Sequence, residues 1–576
     1  MTDPFANADW VFDQRRQEAD EFYAAVHAPH LTDDQKLVQR EALAGLLWSK
    51  QYYHFYVNRW LQGDPTQPTP PAERWFGRNR EWRHLVNDDI ILMPDAWEYP
   101  WYAAWDLMFH CATIALIDPE FAKDQLRLIT SALYQHPYGQ VPAYEWDFSD
   151  VNPPVIAWGA WQVYMMDFGQ TGQRDLAFLA TMERTCALLA NWWFNQKDKS
   201  GNSVFGGGFL GMDNIGVFNR DQPLPTGGTL QQADGTAWMA MLSLHMSEMI
   251  LELARHDPTY VDMLPRYLFD FLLIANVLEH GIGGVNLWDE QEQFYFDVIG
   301  LPDGSSVPLR AFSMNGLVPL FASVAVPVAY TSVLRTTLTE LNRLVERHPQ
   351  FLERIESRHE KGDGSHVLFA AVFGDRLHEV LRRVLDPAQF LSDYGVRAVS
   401  RQHLEYPYVF EVGGEQFGVS YWPNVSHDRM FGGNSNWRGP IWLPVNFLLV
   451  QAISTYARFY GDTFKVEMPS GSGRMVTLHE VADELARRLT MIFLRDERGR
   501  RAVFGNNDYF QTDPHWRDYV PFHEYFDGDD GSGVGASHQT GWTAAVAILL
   551  QYGGALRFAD VTKDDLPAES PRQARA

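Results

Sequence analysis

Apolar positions recur at helical spacing along nearly the whole chain. Thr32-Asp33-Asp34-Gln35 has the pattern of a capping box. The apolar run Leu37, Val38, Leu43, Leu46 and Leu47 behind it predicts a helix reaching toward Tyr56, broken by the proline-rich residues 64–71. The same spacing predicts helices over 103–116, 119–134, 153–169, 174–195, 231–255, 258–279, 313–325, 329–346, 376–385, 439–460, 478–494 and 537–552. Strand-like alternation is confined to 286–298 and 405–412. Two kinds of helix can be told apart. Residues 439–450 are apolar almost throughout, as a helix surrounded by protein must be, whereas 376–388 carries a single apolar stripe. Inner helices paired with outer ones predict an all-α fold, a closed α/α toroid whose long loops form a funnel at one end. No repeat or linker interrupts the pattern. The expected organisation is therefore an N-terminal extension over 1–30, one large helical domain over 31–555 and a polar C-terminal tail over 556–576.

Composition narrows the choice of partner. The 576 residues are 46% hydrophobic and 14% aromatic, enough for a large core and incompatible with global disorder. Lys and Arg number 47 against 73 Asp and Glu, a net charge of −26. Such a chain is a poor match for a nucleic-acid backbone and suits a neutral or cationic small partner. Two cysteines, Cys111 and Cys186, exclude a disulfide scaffold and a cysteine-based zinc module. No apolar run is long enough for a membrane span, and MTDPFANADW lacks the features of a secretory signal, so the cytoplasm is the expected compartment. The chain has no GxGxxG, Walker A, HExxH or GxSxG motif. His110, His136, His427 and His538 have no ligand spacing and are expected to be structural.

The tryptophans lie beside charged groups in segments near the loops. Trp97-Glu98, Trp101 and Trp105-Asp106 form one cluster, with Trp97, Trp101 and Trp105 spaced to share a helix face. Tyr144-Glu145-Trp146-Asp147 forms a second, Asn436-Trp437-Arg438 with Trp442 a third, and Tyr525, Phe526 and Trp542 a fourth. A sugar needs this mixture: its C–H faces stack on indole, and its hydroxyls bond carboxylates, guanidinium and amide groups. Two acidic positions go further. Asp213 sits in the glycine-rich segment 206–216 between apolar neighbours, where desolvation would keep it protonated as a general acid requires; a turn aspartate bonding its own backbone is the competing reading. Glu524 lies between aromatics as a candidate base. The Asp/Gly run 527–531 after it lacks the spacing of a calcium loop and reads as an acidic turn.

Four motifs together resemble glycoside hydrolase family 63, the group of processing α-glucosidase I and its bacterial mannosylglycerate and glucosylglycerate hydrolase relatives. They are Trp101-Tyr102-Ala103-Ala104-Trp105-Asp106, Gly211-Met212-Asp213-Asn214, Asn436-Trp437-Arg438-Gly439-Pro440-Ile441-Trp442, and Glu524-Tyr525 with Gln539-Thr540-Gly541-Trp542-Thr543-Ala544. The resemblance spans roughly residues 30–555. It implies an (α/α)6 barrel and an inverting α-glycoside hydrolase, most simply an α-glucosidase acting on a short glucoside or glucosyl-solute, with no cofactor and no metal. Asp213 would then be the acid and Glu524 the base, with their carboxyls about 6.5–9.5 Å apart to admit one water. Asp106, Arg438 and Gln539 would hold hydroxyls, Trp105, Trp437 and Trp442 would form the walls, and Trp542 would also bind the substrate. Glu145 and Asp147 are left either as sugar ligands or as rivals for the catalytic roles. A mannosylglycerate- or trehalose-type hydrolase and a non-catalytic sugar-binding barrel stay open as alternatives.

Overall fold

The structure is a computed structural model. It describes residues 5–556 apart from 100, 198–200, 202, 207, 209, 331–332, 334–342, 344–345, 348–361, 434 and 538–540. The longer helices are α1 (Ala8–Val26), α2 (Asp33–Trp48), α3 (Ala104–Ile114), α4 (Pro119–Ile129), α5 (Ile156–Thr171) and α6 (Leu176–Phe194). They continue with α7 (Ala233–His256), α8 (Leu264–His280), α9 (Gly374–Val384), α10 (Leu443–Tyr460), α11 (Leu478–Met491) and α12 (Val546–Tyr552). Strands are short and pair mostly as two-stranded ladders. The predominantly helical reading is therefore correct.

Packing separates two classes of helix. α3 packs on α5, α5 on α7, α7 on the 3-10 turn Val318–Phe321, and that turn on α10. α10 then meets the 3-10 turn Gly541–Ala545, which returns to α3 and closes the cycle. Helices in this cycle are buried on every face: all of Ala104–Ile114 and nearly all of Leu443–Tyr460 are inaccessible. α2, α4, α6, α8 and α11 pack outside it. Their burial follows one stripe; α4 buries Ala122, Gln125, Leu126 and Ile129. α9 does the same with Leu377, Val380, Leu381 and Val384.

Several expectations are corrected. The capping box at Thr32 forms as read, with Gln35 reciprocating, but the helix ends at Trp48. Lys50–Tyr56 instead pairs antiparallel with Val86–Leu92, because the aromatic residues Tyr52, Tyr53, Phe55 and Tyr56 favour strand backbone over helix. Residues 313–325 form the 3-10 turns Met314–Gly316 and Val318–Phe321 and then the strand Ser323–Pro327, with Pro319 interrupting any longer helix. The helix expected over 329–346 falls largely outside the described residues, as does the tail beyond Leu556. The N-terminal extension is ordered from α1 onward. Tyr23 is buried, Asp20 pairs with Arg40, and His27 hydrogen-bonds Gln39 at 2.7 Å. The strand-like segments 286–298 and 405–412 do contain strands.

Candidate active site

The N-terminal ends of α3 and α10 and the loops beside them enclose a cavity of about 480 Å³. Asp106, Asp213 and Glu524 all line it, although 311 residues separate the last two in sequence. Trp105, Trp437, Trp442, Trp542 and Glu145 line it as well.

The aromatic walls form one packed unit. Trp437 stacks on Trp442 with centroids 3.9 Å apart and planes 5° apart, and Trp442 stacks on Tyr525 at 4.5 Å. Trp542 meets both Trp105 and Trp442 edge to face, at 5.3 and 5.6 Å. Each indole thus holds another in place, which fixes the wall before any ligand arrives. The predicted common helix face for Trp97, Trp101 and Trp105 does not exist, because α3 starts only at Ala104. Pro100 disfavours helical backbone just before it. Trp97 points to solvent with 81% exposure, whereas Trp101 lines the cavity from the loop.

Asp213 is delivered by a strained loop. Leu210 and Gly211 both have positive φ, 55° and 65°. A Cβ at Gly211 would stand 2.8 Å from Trp105 Nε1, so only glycine lets this loop lie on the indole. The next residue after the carboxylate, Asn214, is fully buried and pinned by the signature segment. It accepts from Trp437 N at 2.6 Å, while Arg438 Nε donates to Asn214 O at 2.7 Å and a second Arg438 nitrogen to Gly216 O at 3.1 Å. Arg438 also pairs with Asp428 at 3.3 Å. The guanidinium expected to hold sugar hydroxyls is not among the cavity-lining groups; it clamps the loop that carries Asp213.

Glu524 is held from the opposite side. Its carboxylate accepts from Ala536 N at 3.2 Å, and its carbonyl accepts from Trp542 Nε1 at 3.1 Å. Phe526 exchanges backbone hydrogen bonds with Ile441 at 2.8 and 2.9 Å, which splices the Glu524 segment onto the tryptophan signature. Behind it Gly535 has φ 75°, and a Cβ there would reach within 2.4 Å of the Glu524 carboxylate. Burial raises all three carboxyls: Asp213 to about 7, Asp106 to about 8 and Glu524 well above its ordinary range. Donation from the Ser435 hydroxyl opposes the rise at Asp213, and the Ala536 amide opposes it at Glu524. The charge of Asp213 raises both Asp106 and Glu524, so the three carboxyls of this cavity influence one another electrostatically.

The remaining expected site residues fall elsewhere. Asp147 does not line the cavity; its carboxylate accepts from Ser149 N at 2.9 Å and closes a turn. Gln539 lies outside the described residues, as does His538. His110, His136 and His427 do not line the cavity. Asp527 spends its carboxylate on Asp529 N, Asp530 N and Asn424, as an acidic turn does. Among the described residues no group of three or more His, Cys, Asp and Glu is disposed to hold a metal, and no helix is long and apolar enough to cross a membrane. The sequence reading assigned no part to Ser435, Tyr99 or Phe431, all of which line the cavity. Phe431 has φ 51°, and its place in a Phe-Gly-Gly-Asn stretch was the available signal for a strained loop.

The family model of the mannosylglycerate hydrolase MGH1-like glycoside hydrolase domain matches residues 99–214 and 365–543, which contain Asp106, Asp213, Glu524 and the tryptophans that wall the cavity. The chain belongs to this glycoside hydrolase family. With it the expected membership of family 63 holds. The chain is 46% identical over 556 residues to an uncharacterised protein of Saccharomyces cerevisiae, covering 94% of this chain and 51% of that protein. It is 26% identical over 176 residues to the mannosyl-oligosaccharide glucosidase of the same yeast, covering 30% of this chain and 15% of the enzyme. The chain thus spans about half or less of the length of these curated relatives. A family 63 mannosylglycerate hydrolase from Thermus thermophilus in complex with glucose aligns over 79% of this chain and 94% of its own, at 15% identity and a TM-score of 0.43.

Proposed function

We propose that this glycoside hydrolase cleaves a short α-glucoside or glucosyl-solute with inversion, in an (α/α)6 barrel. The observation that carries the reading is the confinement of Asp213 and Glu524 to one cavity walled by stacked tryptophans. Asp213, kept protonated near neutrality by burial, gives its proton to the glycosidic oxygen as the bond to the anomeric carbon breaks. Glu524 takes a proton from the water that attacks the opposite face. Burial holds its carboxyl well above the ordinary range, and the Ala536 N–H works against that rise, toward the ionised form that a base needs. Asp106, next to Trp105, accepts hydroxyls of the same sugar ring. The closed cycle of inner helices supports the barrel.

Two measurements test this together. Proton NMR of the first-formed product from an α-glucoside is expected to show β-glucose; α-glucose at the earliest times would rule out inversion. Glu524→Gln is expected to lower kcat by about 10²–10⁴-fold while the melting temperature holds or rises, the range a positioned general base supplies. Near-native turnover in that variant would remove Glu524 from the mechanism.

A further inference from the structure

The cavity has two zones. At its floor Trp105, Asp106, Ser435, Trp437, Trp442, Glu524 and Trp542 are buried. At its mouth Trp101, Tyr144, Glu145, Trp146 and Phe431 are partly or largely exposed, with Trp146 at 67%. A sugar ring between acid and base occupies the floor, which leaves the mouth to the leaving group.

The mouth is aromatic, and its ionisable side chain is an acid. Among the described lining residues there is no Lys, Arg or His, whereas Asp106, Glu145, Asp213 and Glu524 are all carboxyls. Two arginines close to the cavity are committed elsewhere. Arg438 is bound to Asn214 O, Gly216 O and Asp428. Arg78 sits over Trp146 at 3.6 Å from the ring centroid and donates to Trp146 O at 3.0 Å.

Resting on the hydrolase reading above, we infer that the leaving group of the natural substrate is an uncharged sugar or polyol stacked on the mouth aromatics. A carboxylate such as the glycerate carried by mannosylglycerate is rejected. A glycerate leaving group would bring an anion beside Glu145 at the mouth, in a cavity whose described lining has no Lys, Arg or His to pair with it. Like charges set together in such a site cost enough for a discrimination of about 100-fold. Aromatic faces, in contrast, accept the C–H edges of any neutral polyol or sugar ring.

The test compares α-glucosylglycerol with α-glucosylglycerate, which differ by a hydroxymethyl group against a carboxylate. With the intact chain at pH 7.5, kcat/KM for the glycerol compound is expected to exceed that for the glycerate compound by about 100-fold. Glu145→Gln is expected to narrow the ratio about tenfold by removing the opposing charge at the mouth. Equal or better cleavage of the glycerate compound overturns the inference and leaves the hydrolase reading intact. If neither compound is cleaved, the hydrolase reading fails, and titration calorimetry of both ligands decides the charge selectivity. Preferential binding of the glycerol compound then supports it, and equal, reversed or undetectable binding of the two overturns it.

Discussion

Replacing Asp213 by Asn is predicted to make the protein inactive and more stable, with a gain that is absent below about pH 4, grows up to about pH 7 and is full above that. Burial lifts the Asp213 carboxyl from 3.8 to about 7. Each pKa unit is worth about 1.4 kcal/mol, so ionising this group in the folded chain costs up to about 4 kcal/mol. One side of Asp213 opens on the cavity, and screening by water there brings the figure to about 2–4 kcal/mol. The folded pKa exceeds the unfolded one, so the folded state binds the extra proton. Stability is complete below about pH 4, declines as pH rises from there to about 7, and stays reduced beyond that. Asparagine has the same shape, still accepts from Ser435 and has no charge to bury. Its loss also relieves Glu524 and Asp106, whose carboxyls the Asp213 charge pushes up, and this acts in the same direction. At about 2.1 cal/mol/K of unfolding entropy per residue, a chain of 576 residues shifts its Tm by roughly 1 °C per kcal/mol. Calorimetry should therefore find Asp213→Asn melting about 2–4 °C above the parent at pH 8.5 and within about 1 °C of it at pH 4. The same variant should lose about 10²–10⁴ in kcat. No gap at pH 8.5, or an equal gap at both pH values, would show that desolvation of this carboxyl is not what the fold sustains at its site.

Two further substitutions probe the supports of the pair. Arg438→Met leaves Asp428 and two loop carbonyls without their cation, so it should destabilise the chain by about 3–5 kcal/mol and lower kcat. A purely structural role predicts unchanged kcat in the folded fraction; a shifted pH profile instead would mark it as the residue that positions Asp213. Gly535→Ala combines a positive φ with a Cβ directed at the Glu524 carboxylate, and is expected to reduce kcat more than it raises KM. A KM effect alone would mean that the base tolerates displacement.

Helices and their two classes were legible in the sequence because burial leaves a periodic trace. An inner helix such as Leu443–Tyr460 is apolar on all sides, and an outer one such as Gly374–Val384 only at i, i+3, i+4 and i+7. Asp213, Glu524 and the tryptophans were also legible as a set, because carboxyls among indoles and glycines have few structural uses. Sequence could not show which way a side chain faces at a loop. Arg438 and Trp437 are adjacent, yet the indole lines the cavity and the guanidinium turns behind it to bond Asn214 O. Asp147 and Glu145 are two residues apart, and only Glu145 reaches the cavity. Local pattern therefore determined the chemistry available to this protein. The meeting of segments hundreds of residues apart, through hydrogen bonds such as that from Trp437 N to Asn214, decided which groups share one cavity, because such contacts depend on closure of the whole helical cycle and leave no periodicity behind.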